Sequence, residues 1–158
     1  MKIETKRLIL RPFELDDLQD VYSYASQFVV ANAAGFPPCT TIQASVLFLN
    51  DLQKQDAYAL FNKRQQRVIG NICLYSTKQQ RVFEIGYALN KEVWGNGYMA
   101  EALQAICKSS LEGVDKLEAF VKGNNRASIR VLEKCDFKKV SYTKQNIFLY
   151  TRQIDNVE

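Results

Sequence analysis

Two features of this chain could do chemistry: a stretch of backbone opened by closely spaced glycines, and one carboxylate on an alternating strand. In WGNGYMAEAL, residues 94–103, Gly95 and Gly97 stand one residue apart at the start of an apolar helical run. A glycine turn opening a helix presents unpaired N–H groups at the positive end of the helix dipole, which suits phosphate or pyrophosphate. A plain tight turn would use the same residues. VFEIGYAL, residues 82–89, puts Val82, Glu84, Gly86 and Ala88 on one face and Phe83, Ile85, Tyr87 and Leu89 on the other. The second face reads as core. The first surrounds one carboxylate with small side chains, as a cavity wall would, and a solvated edge carboxylate fits the pattern as well.

Histidine is absent from the 158 residues. Ser-His-Asp and Cys-His catalysis, HExxH metalloproteases and histidine-held metals are thereby excluded, so acid–base work falls to carboxylate, hydroxyl, amine or backbone. Cys39, Cys73, Cys107 and Cys135 form no CxxC pair and read as buried apolar thiols without a zinc site. No metal is expected. GNGYMA also fits the G-x-G-x-x-A pattern of nicotinamide-dinucleotide turns. The context disfavours that reading, because the charged, bulky NKEVW separates strand from glycine and only one helix–strand crossover follows.

The elements that must position these residues follow from periodicity. RLILRPF, residues 7–13, reads as a strand, and Leu15, Leu18, Tyr22 and Ala25 recur at helical spacing. Residues 28–40 read as a loop stopped by Pro37 and Pro38. Thr41 caps a second helix with Ile42, Val46, Leu49 and Leu52 on one side. Residues 57–62 and 67–76 are strands joined by KRQQ, and residues 82–89 continue the meander. Met99, Ala102, Leu103, Ile106 and Cys107 form the inner face of a third helix, which Gly113 ends. A strand over residues 117–122, a helix over 125–135 and strands in KVSYTKQ and IFLYTRQ complete the order, with DNVE (residues 155–158) a frayed end. This predicts one α/β (α+β) domain over residues 1–158, with a mixed, mostly antiparallel sheet of about seven strands and four helices on both faces.

The totals set the class of partner. A net charge of +4 is too weak to argue for nucleic acid and suits a small anionic ligand. No apolar run approaches a membrane span and no signal-peptide core opens the chain, so a cytoplasmic protein without a membrane partner is expected.

EIGYAL-x4-WGNGYMAEAL, followed by NNRASIRVLEKCDF, resembles the GNAT superfamily of N-acetyltransferases. TKRLILRPFELDDLQDVY and the loop with PP before the second helix are similar to the branch that acetylates ribosomal-protein alanine. The resemblance covers essentially the whole chain. It implies a GNAT fold and transfer of an acetyl group from acetyl-coenzyme A, a co-substrate, to an amine. By family match the pyrophosphate cradle runs through Trp94, Gly95, Asn96, Gly97, Tyr98, Met99 and Ala100. The coenzyme's pantetheine arm pairs with the strand ending at Ala88 and Leu89, where that strand splays from its LEAFVK neighbour. Superfamily members often place Gln or Arg three residues before the first glycine. Here Glu92 stands there, which argues against a side-chain contact to phosphate.

The resemblance also assigns catalytic roles. It favours Glu84 as general base, and it matches Asn125 and Ser128 to the family's N-x-x-S, with helix capping the alternative for Asn125. The family's usual tyrosine acid corresponds to Leu132, which leaves Ser128 as its substitute or as a surface serine. Asp136 replaces the glycine expected before Phe137. Arg126, Arg130 and Lys134 make a basic stripe, either a solvated face or a contact for the coenzyme's outer phosphate, with Arg130 counted among the coenzyme contacts. The acceptor is an amine on a protein N-terminus or a small molecule such as a polyamine, met by the variable segments 28–40 and 141–146. A protein α-amine is the easier substrate, since freeing it at neutral pH costs about 1 kcal/mol against roughly 4–5 for a lysine or polyamine amine. A module that holds the coenzyme or a nucleotide without turnover is the competing class. The protein is expected as a monomer or homodimer.

Overall fold

The structure, a computed structural model, describes residues 2–155. Residues 156–158 of the end expected to fray lie outside the described residues. The strands are β1 (Ile3–Glu4), β2 (Leu8–Arg11), β3 (Asp56–Asn62), β4 (Arg67–Ser76), β5 (Val82–Leu89), β6 (Lys116–Lys122), β7 (Lys138–Tyr142) and β8 (Ile147–Gln153). They make one sheet in the order β1-β2-β3-β4-β5-β6-β8-β7. The pairs β1–β2, β2–β3, β3–β4, β6–β8 and β7–β8 are antiparallel, and β5–β6 is parallel. The helices are α1 (Leu18–Ala25), α2 (Phe28–Ala34), α3 (Ile42–Lys54), α4 (Tyr98–Lys108) and α5 (Arg126–Lys134), with short 3-10 turns at Leu15–Asp17 and Lys91–Val93. The expected mixed, mostly antiparallel architecture is present. Among the described residues it has eight strands and five α-helices, one of each more than expected.

The extra helix is α2, where the sequence reads as a loop. Gly35 explains it: at φ +86° it takes the left-handed conformation that closes a helix, and its N–H donates to Ala31 O at 2.8 Å. Pro37 and Pro38 follow the helix instead of preventing it. Two helical faces also differ from expectation. Leu15 lies on the 3-10 turn and is exposed, leaving Val21, Tyr24 and Ala25 as the buried side of α1. On α3 Val46 is exposed and Ser45 is buried with Leu49 and Leu52, while Thr41 caps that helix through Ala44 N–H at 3.1 Å. Gly113 does not end α4, which stops at Lys108; the Ser109 hydroxyl and N–H turn back to the carbonyls of the last turn.

The residues fall into two compact units, 2–74 with 86–98, and 75–85 with 99–155. The first packs α1, α2 and α3 around Val21, Tyr24, Leu49, Leu52 and Ala59. The buried Tyr24 hydroxyl donates to Asn71 Oδ1 at 2.8 Å, and Arg11 grips the buried Asp17 through two 2.9 Å bonds that fix the step from β2 into α1. In the second unit Leu103, Ile106, Leu117 and Leu132 are fully buried. Among the described residues no helix is long and apolar enough to cross a membrane.

Candidate active site

The glycine turn is held from behind by a buried amide. Beyond the end of β5, Asn90 is buried, and its Oδ1 accepts from Gln27 Nε2 and from Glu92 N–H, both at 3.0 Å. Its own N–H donates to Ile69 O at 2.8 Å, and Gln27 Oε1 accepts from Lys91 N–H at 3.0 Å. Buried polar groups need such partners, so this network fixes where the chain leaves the sheet. The 3-10 turn then delivers Trp94, whose Nε1–H donates to Leu89 O at 2.7 Å. Asn96 Nδ2 folds back onto Val93 O and Trp94 O at 3.0 and 3.2 Å. Both side chains thus brace the turn.

What the turn presents outward is backbone. Gly95 and Gly97 sit at φ +80° and +79°, the left-handed region that glycine enters without strain. A Cβ on Gly95 would meet nothing within 4 Å, and one on Gly97 would meet only Arg7 Nη2, at 3.6 Å. Residues 94–97 are exposed, and the N–H groups of Gly95, Asn96 and Gly97 donate to no group among the described residues. The Arg7 guanidinium lies 4.1 Å above the centre of the Tyr98 ring. Met99 is buried, so its contribution at this surface is limited to backbone; the Ala100 carbonyl accepts from Cys135 Sγ at 3.3 Å. Glu92 pairs with Arg67 at 2.8 Å.

Glu84 lies in the short parallel ladder. Arg81 and Asp115 form a two-bonded ion pair at 2.9 and 3.0 Å where β5 and β6 begin, and Asp115 N–H donates to Arg81 O at 2.7 Å. The register that follows is Val82↔Lys116, Phe83↔Leu117 and Glu84↔Glu118, although β5 runs on to Leu89 and β6 to Lys122. Glu84 is half-buried, and its carboxyl is raised from the ordinary value, first by burial and second by the Glu118 charge. The two faces of β5 do not divide into core and cavity wall. Val82 and Ala88 are buried on Glu84's face, Ile85 is buried on the other, and Phe83, Tyr87 and Leu89 are only half-buried. Both faces of β5 carry buried residues, so the strand lacks the alternation of a half-solvated one. The Ala88 carbonyl oxygen crowds the position a Gly70 Cβ would take.

At α5, Asn125 Oδ1 accepts from Ser128 N–H at 3.2 Å, the capping role open to it. Ser128 is half-buried, and Leu132 is fully buried, so no polar group occupies the usual tyrosine position. No hydrogen bond joins Glu84 to Ser128 among the described residues. Arg126, Arg130 and Lys134 are exposed. Asp136 adopts φ +63°, the conformation the expected glycine would take, and Phe137 N–H still closes onto Leu132 O at 3.0 Å. Among the described residues the four cysteines are buried and form no disulfide; burial pushes Cys107 to about 11 and Cys135 to about 12, which leaves those two unreactive thiols at neutral pH.

Sequence reasoning missed Arg7, Asn90 with Gln27, and Glu118. Their partners lie far along the chain, so no local spacing could announce them. An asparagine directly after a strand was the one available signal.

The pattern described as "Acetyltransferase (GNAT) domain" matches residues 7–138. The uncharacterized N-acetyltransferase YnaD of Bacillus subtilis is 29% identical over 153 residues, 93% of this chain and 88% of that protein. Among solved structures, an acetyltransferase (GNAT family) from Bacillus anthracis superposes with a TM-score of 0.87 at 22% identity, covering 97% of this chain and 98% of that one. Spermidine N-acetyltransferase from Vibrio cholerae, solved with CoA and spermine, gives 0.79 at 14% identity over 95% and 97%. Ribosomal-protein-S5-alanine acetyltransferase from Vibrio fischeri gives 0.70 at 18% over 99% and 98%. With the domain pattern covering most of the chain and the fold matched nearly end to end, this protein belongs to the GNAT family of acetyltransferases and is an acyltransferase.

Proposed function

We propose that this acyltransferase, acting as a single domain over residues 1–158, moves the acetyl group of acetyl-coenzyme A to a primary amine, with Glu84 as base. The observation that carries the reading is the exposed double-glycine turn, whose amides have no protein acceptor among the described residues. It fits a pyrophosphate. Gly95, Asn96 and Gly97 would supply N–H donors, Tyr98, Met99 and Ala100 the first helical amides, and Arg7 a nearby positive charge. Trp94 and Asn96 would act as braces, since their side chains already bind the turn's own carbonyls. The pantetheine arm would follow the backbone of β5 past Glu84, where the registered ladder ends. There Leu89 offers less than the resemblance implies, because its carbonyl already accepts from Trp94.

In the reaction the amine nitrogen bonds to the thioester carbonyl carbon, the C–S bond breaks, and the amine gives up a proton. Glu84 would take that proton. Its raised carboxyl makes it a stronger base than an ordinary glutamate, provided the pH keeps it ionised. Ser128 would return a proton to the leaving thiolate. Asn125 would hold Ser128 in place as the helix cap, and Arg130 with its stripe would meet the coenzyme's outer phosphate. For the acceptor we favour a protein N-terminal α-amine, as in the ribosomal-protein branch, because a single base suits an amine that is easily freed. The facing carboxylates of Glu84 and Glu118 favour a second acceptor, a cationic polyamine.

Two measurements test this reading. Gly97→Asn keeps the left-handed backbone accessible and places a side chain over the turn. It should weaken coenzyme A about tenfold or more, and a folded variant with full affinity would place the cradle elsewhere. A panel of N-terminal peptides, polyamines and aminoglycosides then identifies the acceptor. Faster turnover of polyamines than of any peptide would overturn the α-amine assignment.

A further inference from the structure

Glu84 and Glu118 are register partners across β5 and β6, so both side chains leave the sheet on the same face. Glu118 is well covered, with 17% of its side chain exposed, and two residues earlier on that face Lys116 Nζ stands 3.7 Å from Glu118 Oε1. The other edge of β6 adds no charge, because Thr151 and Gln153 of β8 are the partners of Glu118 and Lys116. Arg81 and Asp115 are engaged with each other at the strand ends. Burial and then the Glu118 charge raise the Glu84 carboxyl from its ordinary value. On the β6 side, Glu118 and Lys116 are therefore the charged groups that share Glu84's face. In the proposed transfer to an α-amine, Glu84 is the one of the three with a role.

We propose that Glu118, opposed by Lys116, is a positioning residue that sets the basicity of Glu84. The inference rests on the reading of Glu84 as base. An adjacent negative charge makes a carboxylate hold its proton more tightly, and a cation beside that charge limits the effect. Lys116 thus moderates how strongly Glu118 acts on Glu84. Glu118 touches neither amine nor thioester in this scheme. Its influence reaches the reaction through Glu84 alone.

The test uses protein labelled with 13C at the glutamate carboxyls, with the Glu84 signal identified as the one lost in Glu84→Gln. Glu118→Gln removes the raising charge, so the Glu84 midpoint should move to lower pH. Lys116→Met removes the moderating charge, so it should move to higher pH. The acid limb of the kcat/KM profile should follow in the same two directions, whereas a purely structural role would lower rates without moving it. A Glu84 midpoint that stays fixed in both folded variants, or moves the same way in both, overturns the proposal. If the midpoint moves oppositely while the acid limb stays fixed, Glu118 still tunes Glu84 but Glu84 is not the base. The two readings therefore fail separately.

Discussion

Glu84 shows at the residue scale how the proposed base would work against stability. Its carboxyl is raised by burial and by Glu118, so the native chain binds that proton more tightly than the unfolded chain does. Below the ordinary glutamate value both states are protonated and nothing is lost. As pH rises through that value towards the raised one, the native state loses stability, and the deficit persists above it. Glu84→Gln should therefore melt close to wild type in acid and above it at neutral pH, as thermal melts across the pH range would show. The same substitution should slow acetyl transfer by ~10²–10⁴-fold near neutral pH, with the defect shrinking as pH approaches the amine's own pKa. Equal melting curves at every pH would mean that burial of Glu84 carries no penalty. As for legibility, alternation placed Glu84 on one face of a strand, but its partner Glu118 lies 34 residues away by numbering and is visible only through register.

The informative element is the segment from β5 through the 3-10 turn to α4. Its local parts could be read in the sequence: the strand over residues 82–89, the paired glycines and the amphipathic face after them all appear where periodicity puts them. Its anchor could not. Asn90 reaches Gln27 and Ser23 on the far side of the chain's own numbering, and a single asparagine carries no period. α2 escaped for a related reason, since Phe28 and Val29 are exposed while Val30 and Ala31 are buried, which gives no helical stripe over so short a run. The anchor makes a prediction. Asn90→Ala would leave Gln27 Nε2 and the Glu92 N–H without their acceptor, and should destabilise the protein by ~1–3 kcal/mol. It should also weaken coenzyme binding, because the turn loses its support. Denaturant unfolding and a coenzyme titration read the two effects, and unchanged affinity in a destabilised variant would show that the turn holds its shape without Asn90.

For the whole molecule, the order of strands and helices was largely legible because apolar, β-branched or aromatic runs mark most strands and polar or glycine-containing stretches separate them. Arrangement in space was not. The placement of β8 between β6 and β7, the parallel step at β5–β6 and the approach of Arg7 to Tyr98 depend on which distant segments pair. The proposed reaction asks for three parts: open amides for an anion, a half-buried carboxylate for a proton, and a serine at a helix start. The most direct test is acetyl transfer itself. Purified protein is mixed with acetyl-coenzyme A and the amine panel, with free thiol and acetylated product measured together. One thiol should appear for each acetyl group gained by an amine, at a rate that depends on the amine and is strongly reduced by Glu84→Gln near neutral pH. Coenzyme binding without acetylation of any amine, or transfer that Glu84→Gln leaves unchanged at every pH, would contradict the account.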